Sequence, residues 1–149
     1  DKVDDDWVNK PRKWDLNFIK KFMYTFGPIS SIFDFLTFFL LFFVFKLGES
    51  AFQTGWFLES LATQTLVIHI IRTKQIPFLQ SKASKWLIFS TFTAVAVGWL
   101  IPYTSLGKFF KFSPLPTNIL LSIACLVIVY LILVEIVKRI FYKQHSFMR

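Results

Sequence analysis

The chain has 149 residues, 54% of them hydrophobic, with 20 Phe, 5 Trp and a mean hydropathy of +0.53. Charged residues make up only 17% and fall between long apolar stretches, which excludes a water-soluble domain whose helices carry polar faces at the 3.6-residue period. The net charge of +8 would suit nucleic acid, but the basic residues flank hydrophobic stretches, so membrane orientation explains them and no nucleic-acid partner is expected.

In chain order, residues 1–21 are polar and offer no apolar core ahead of a small-residue cleavage site, so no signal peptide is expected. They also lack an initiator Met, as the interior of a longer polypeptide would. Four apolar stretches follow, at 22–45, 52–71, 86–103 and 118–137. At 1.5 Å per residue each runs about 27–36 Å, enough to cross a hydrocarbon core of about 30 Å. Helices satisfy their own backbone hydrogen bonds in lipid, and the alternation a transmembrane barrel needs is missing. The expected fold is therefore an all-α membrane protein, a bundle of four transmembrane helices forming one unit over 1–149.

Basic residues set its orientation. Fourteen of the 17 lie in the leading segment, the middle loop and the tail, against Lys46, Lys108 and Lys111 in the two other loops. The positive-inside rule places both termini and the middle loop in the cytoplasm. Trp56, Trp86, Trp99 and Tyr103 lie near span ends, as an interfacial aromatic belt requires.

The first stretch contains FLTFFLLFFVF yet carries Asp34 at its centre. A carboxylate there costs about 2.5–3.5 kcal/mol on insertion scales, which marks a functional residue. Gly27, Ser30, Ser31, Asp34 and Thr37 recur at helical spacing within an arc of about 120°, a stripe that should face protein or water. Gly27-Pro28 should loosen the helix and free a carbonyl. Three roles suit Asp34: binding a hard cation such as magnesium, relaying a proton, or making an interhelical contact. The second stretch has its own stripe of Glu59, Ser60, Thr63 and Gln64. With the helices antiparallel, Gln64 falls near the depth of Asp34. Glu59 falls about 7 Å nearer the outside, as an outer ion ligand or a snorkelling interfacial residue. His69, beside Arg72, reads as packing or interfacial.

On the third stretch Ser90, Ala94 and Gly98 form a small-residue pattern for close helix approach. The fourth is aliphatic, with Ser122, Ala124 and Cys125 close together, and reads as structural or peripheral. Glu135, with Lys138 and Arg139 three and four residues on, suits a local ion pair. Cys125 stands alone, so no disulfide forms within the chain, and neither histidine has a companion at metal-ligand spacing. No phosphate loop or dinucleotide fingerprint occurs, so no catalytic or cofactor-binding residue is expected.

The words KPRKW (10–14), FGPISSIFD (26–34), FQTGWF (52–57), QTLVIHIIRT (64–73) and IPFLQS (76–81) follow in order. Together they resemble the C-terminal membrane region of bacterial magnesium-transporting P-type ATPases. The opening Asp1-Lys2-Val3-Asp4 is similar to that family's Asp-Asn-Val-Asp after its sixth helix. The resemblance covers essentially the whole chain and implies helices seven to ten of a ten-helix pump in the bacterial plasma (inner) membrane. The partners it implies are the lipid bilayer, the remaining helices and the cytoplasmic domains. Magnesium and ATP would serve the complete pump, and the Asp-Lys-Thr-Gly-Thr phosphorylation word has no counterpart here. By this resemblance Asp34 falls in the family's Ser-Ser-Ile-Phe-Asp word and Gln64 where related pumps place a polar or acidic group near the ions, with Glu59 less directly transferable. All three are candidate contributors to the ion pathway.

The implied function is a C-terminal membrane support domain bracing the ion-carrying helices of an ATP-driven magnesium importer. The competing reading is a stand-alone four-helix membrane protein acting as an interaction or regulatory partner. An autonomous proton-coupled carrier using Asp34 suits the residues least, because no internal repeat offers alternating access.

Overall fold

The computed structural model describes Asp4 and residues 15–146, with side chains as far as Gln144. The basic residues Lys2, Lys10, Arg12, Lys13 and Arg149 and the word at 10–14 lie outside the described residues.

Helix α1 spans Leu16–Phe39. Its start is fixed by Asp15, whose carboxylate accepts from the N–H groups of Asn17 (3.0 Å) and Phe18 (3.1 Å), two of the donors a helix N-terminus leaves open. The helix runs through Pro28 unbroken. Around that missing N–H the hydroxyls of Ser30 and Ser31 donate to the carbonyls of Phe26 and Gly27 at 3.4 and 3.3 Å. It then widens into a π-helical turn over Leu40–Val44, capped at Phe45 and followed by Lys46 with a φ of 49°.

Helix α2 spans Glu49–Leu66 and a short α3 spans Ile68–Ile71. The expected stretch 52–71 is thus helical but interrupted at Val67. Helix α4 spans Lys85–Leu100, capped by the Ser84 hydroxyl accepting from Leu87 N–H, and passes into a 3₁₀ turn over Ile101–Tyr103. A five-residue α5 spans Ser105–Phe109. Here Gly107 is obligatory: a Cβ would stand 2.6 Å from Ile101 O and 2.8 Å from Pro102 Cα. Helix α6 spans Thr117–Ser146, starting past two prolines and continuing well beyond the expected end at Val137. No β-strand forms among the described residues.

Among the described residues three helices are long and apolar enough to cross a membrane: Leu16–Val44, Lys85–Tyr103 and Thr117–Gln144. The expected second span is not among them, because Glu49, Gln53, Glu59 and Gln64 dilute its apolar run.

Packing decides between the two readings of the fourth stretch, structural or peripheral, in favour of the first. The fourth stretch is the centre of the molecule, since α6 packs on both α1 and α2, while α4 packs on α2. Ile119, Ile123 and Val127 of α6 join Leu41, Leu58, Ala62 and Leu115 in one buried cluster. Tyr130, Val134 and Phe141 join Phe26, Phe33 and Ile70 in a second. These α6 positions are separated by four, four, three, four and seven residues, so they share one face of the helix. In an all-aliphatic helix that face is invisible by hydropathy. The small-residue pattern on α4 is used only at Gly98, where a Cβ would meet Leu61 Cδ2 at 2.0 Å; Ser90 and Ala94 are exposed.

The two ends are tied differently. At one, Ser50 Oγ donates to Lys111 O (2.5 Å) and Ser113 N–H donates to Thr54 Oγ1 (3.0 Å). At the other, the Asp4 carboxylate accepts from Thr73 Oγ1 (2.6 Å) and Lys74 N–H (2.9 Å). There too, Lys138 Nζ donates to Ile70 O (3.0 Å) and Gln75 O (2.9 Å).

Candidate functional site

The polar residues of α1 and α2 meet against α6 in the interior of the bundle. Asp34 is half-buried on α1, one turn beyond Ser30. The Ser30 hydroxyl lies 3.0 Å from the phenolic oxygen of Tyr130 on α6. Phe33 packs edge-on against the Tyr130 ring, with centroids 5.3 Å apart, which fixes that ring beside the stripe. Thr37, the last residue of the stripe, is fully buried and returns its hydroxyl to Phe33 O at 2.9 Å.

Glu59 on α2 is only 1% exposed. Ser60 Oγ reaches its Oε2 at 3.4 Å, and the Thr63 hydroxyl donates to its backbone carbonyl at 2.9 Å. Asp34 is close enough for its charge to act on both Glu59 and Tyr130. Three helices thus contribute to one polar cluster with two carboxyl groups and the hydroxyls of Ser30, Ser60 and Tyr130. The donor set is all oxygen, the chemistry of protons and hard cations rather than of soft metals. Among the described residues no cluster of three or more His, Cys, Asp or Glu could hold a metal ion, so two carboxyls alone make an incomplete coordination shell.

Of the three site residues expected from sequence, Asp34 and Glu59 come together. Gln64 does not join them; it is exposed, five residues and so about 140° around α2 from Glu59. Tyr130 was missed. Its signal was available, since a phenol in the middle of an aliphatic span needs a hydrogen-bond partner there.

His69 forms a separate polar contact and no site. It is buried, its Nε2 lies 2.7 Å from Thr91 Oγ1 on α4, and its ring is flanked by Phe78 and Phe92. The Thr91 hydroxyl also lies 2.8 Å from Leu87 O and 3.1 Å from Ile88 O, so the donor between it and His69 is set by the imidazole tautomer. Glu135 makes the expected pairs, to Lys138 at 2.7 Å and Arg139 at 3.0 Å, but Lys138 is wholly buried rather than solvated.

Residues 1–140 match the family described as "Cation transporting ATPase, C-terminus". A magnesium-transporting ATPase, P-type 1, of Salmonella typhimurium strain LT2 is 39% identical over 148 residues, covering 97% of this chain and 16% of that relative. The protein of the same description in Escherichia coli strain K12 is 37% identical over 150 residues, covering 98% of this chain and 17% of the relative. A further one, in Salmonella typhimurium strain 14028s, is 35% identical over 150 residues with the same coverage. The chain spans about one-sixth of the length of these relatives. With its helical architecture and membrane-length apolar helices, the chain belongs to the cation-transporting ATPase C-terminal family.

Proposed function

We propose that this chain is the C-terminal membrane support domain of an ATP-driven magnesium importer in the bacterial inner membrane. The observation that carries the reading is the family match over residues 1–140, together with relatives described as magnesium-transporting ATPases. In this reading α1, α2 with α3, α4 and α6 each cross the bilayer, and both termini are cytoplasmic. The α1–α2–α6 core, held by two apolar clusters, gives a stiff body against which the ion-carrying helices move. ATP binding and phosphorylation belong to the remainder of the pump.

Asp34 and Glu59 would face the magnesium pathway as oxygen donors completed by groups elsewhere in the pump. Gln64, pointing away from them, would meet the pump's other helices instead. The Ser30–Tyr130 hydrogen bond holds α1 against α6 beside Asp34 and so sets where that carboxyl stands.

The test is Asp34→Asn in the complete pump, with Thr93→Ala on the exposed face of α4 as the comparison. Asp34→Asn should raise the magnesium concentration for half-maximal ATPase activity about tenfold, the order seen when a metal-supporting group is lost. Thr93→Ala should leave it unchanged. Equal, wild-type-like activity of both variants at equal expression would remove Asp34 from the ion pathway.

A further inference from the structure

The connection between α3 and α4 does not stand off the helix ends. After Gln75 it doubles back, and the ring of Phe78 comes to rest 5.1 Å from His69 and 6.4 Å from Phe92. Phe92 is seven residues into α4, about 10 Å along its axis from Lys85. If Lys85 and Trp86 sit at headgroup level, as cationic and aromatic residues at a span end do, the loop tip lies at the edge of the hydrocarbon.

Irregular backbone at that depth must bond to itself, because lipid offers neither donors nor acceptors. This loop does so. Phe78 N–H donates to Ser81 O (3.2 Å), and the N–H groups of Gln80 and Ser81 donate to Ile76 O (3.0 and 3.3 Å). The Gln80 side-chain oxygen accepts from Ile76 N–H (3.1 Å), Arg72 donates to Ser81 O (3.3 Å), and Pro77 has no N–H to satisfy. Phe78 is held at φ 65°, a conformation costly for an aromatic residue, and it keeps its ring against His69. The turn presents two large apolar side chains outward, Leu79 at 78% exposed and Phe78 at 43%, beside exposed Gln80. Exposed Lys82 and Lys85 follow within six residues.

We infer that residues 76–81 form a membrane-dipping loop whose partner is the bilayer itself. Phe78 and Leu79 enter the acyl-chain edge of the leaflet, and Lys82 and Lys85 stay among its phosphates. The inference rests on the reading of α4 as a span. It does not depend on the identity of the transported ion.

Spin labels on single cysteines in a Cys125→Ser background test it, with the full-length pump reconstituted in phosphatidylethanolamine–phosphatidylglycerol vesicles. Leu79→Cys, Lys82→Cys and Val97→Cys are compared for collision with oxygen, which concentrates in lipid, and with an aqueous nickel chelate. The oxygen-to-chelate ratio at position 79 should exceed that at 82 by about tenfold and approach that at mid-span 97. A ratio at 79 equal to that at 82, with 97 lipid-exposed, overturns the dipping loop alone. Low collision with both reagents at 79 also overturns it, because the tip is then covered by protein. An aqueous signature at 97 overturns the span reading on which the inference stands.

Discussion

Lys138 is a charged side chain with no exposed surface, held by Glu135 at 2.7 Å and by the carbonyls of Ile70 and Gln75. Two of its ammonium donors reach carbonyls and the Glu135 carboxylate offsets its charge, which is the condition for keeping a cation inside a protein. Removing it leaves two carbonyls and part of a carboxylate without partners. Lys138→Met should cost about 3 kcal/mol, because a broken buried pair leaves its other half uncompensated. Glu135→Gln should cost less, since two of the three contacts to Lys138 remain. Thermal unfolding midpoints in detergent should rank wild type above Glu135→Gln above Lys138→Met; the reverse order would mean that the carbonyl contacts contribute little. The sequence offered Lys138 as a partner of Glu135 near the membrane surface but not as a buried cation, because nothing in its neighbours says that the helix continues past it. Asp34 and Glu59 were legible for the opposite reason. A carboxyl in an apolar run is expensive wherever it points, so its presence alone is informative.

At the scale of elements, the helices were legible and their neighbours were not. Length and hydropathy located α1, α4 and α6, whereas α2 carried enough polar groups to blur its signal and α6 too few to betray its seam. A helix that is apolar all round has no moment to report which side is inward. The glycines, by contrast, carry a contact that can be tested. At Gly98 the atom in the way is the tip of Leu61, which can rotate, while at Gly107 it is the backbone of Ile101 and Pro102, which cannot. Gly107→Ala should therefore destabilise by about 1–3 kcal/mol, the usual range for overpacking. Gly98→Ala should cost less and leave α4 attached through the bond from Trp99 Nε1 to Leu58 O (3.2 Å). Equal midpoints for the two alanine variants would show that the turn before α5 is as adaptable as a side chain.

For the whole molecule, the hydrogen bonds sort the connections into two sets. Ser50 with Lys111 and Thr54 with Ser113 gather the α1–α2 and α5–α6 connections at one end. Asp4 with Thr73 and Lys138 with Gln75 gather the incoming segment, the α3–α4 connection and the far part of α6 at the other. Ser50 and Ile70 thus belong to opposite ends, and the helical path between them rises about 30 Å, the thickness of the hydrocarbon. This geometry favours α2 with α3 as a crossing segment despite its modest hydropathy: Thr54, Glu59 and Thr63 are all buried against protein. A span shielded in that way need not be apolar throughout. In the proposed orientation the end that carries the α3–α4 connection, with Arg72, Lys74, Lys82 and Lys85, is cytoplasmic. A membrane-impermeant thiol reagent applied to intact spheroplasts should therefore modify Ser50→Cys and spare Lys82→Cys, with both labelled after permeabilisation. Modification of both in sealed spheroplasts would place the two connections on one side, so α2 would lie within the bundle without crossing. Modification of Lys82→Cys alone would invert the molecule, and the basic residues would then need another explanation.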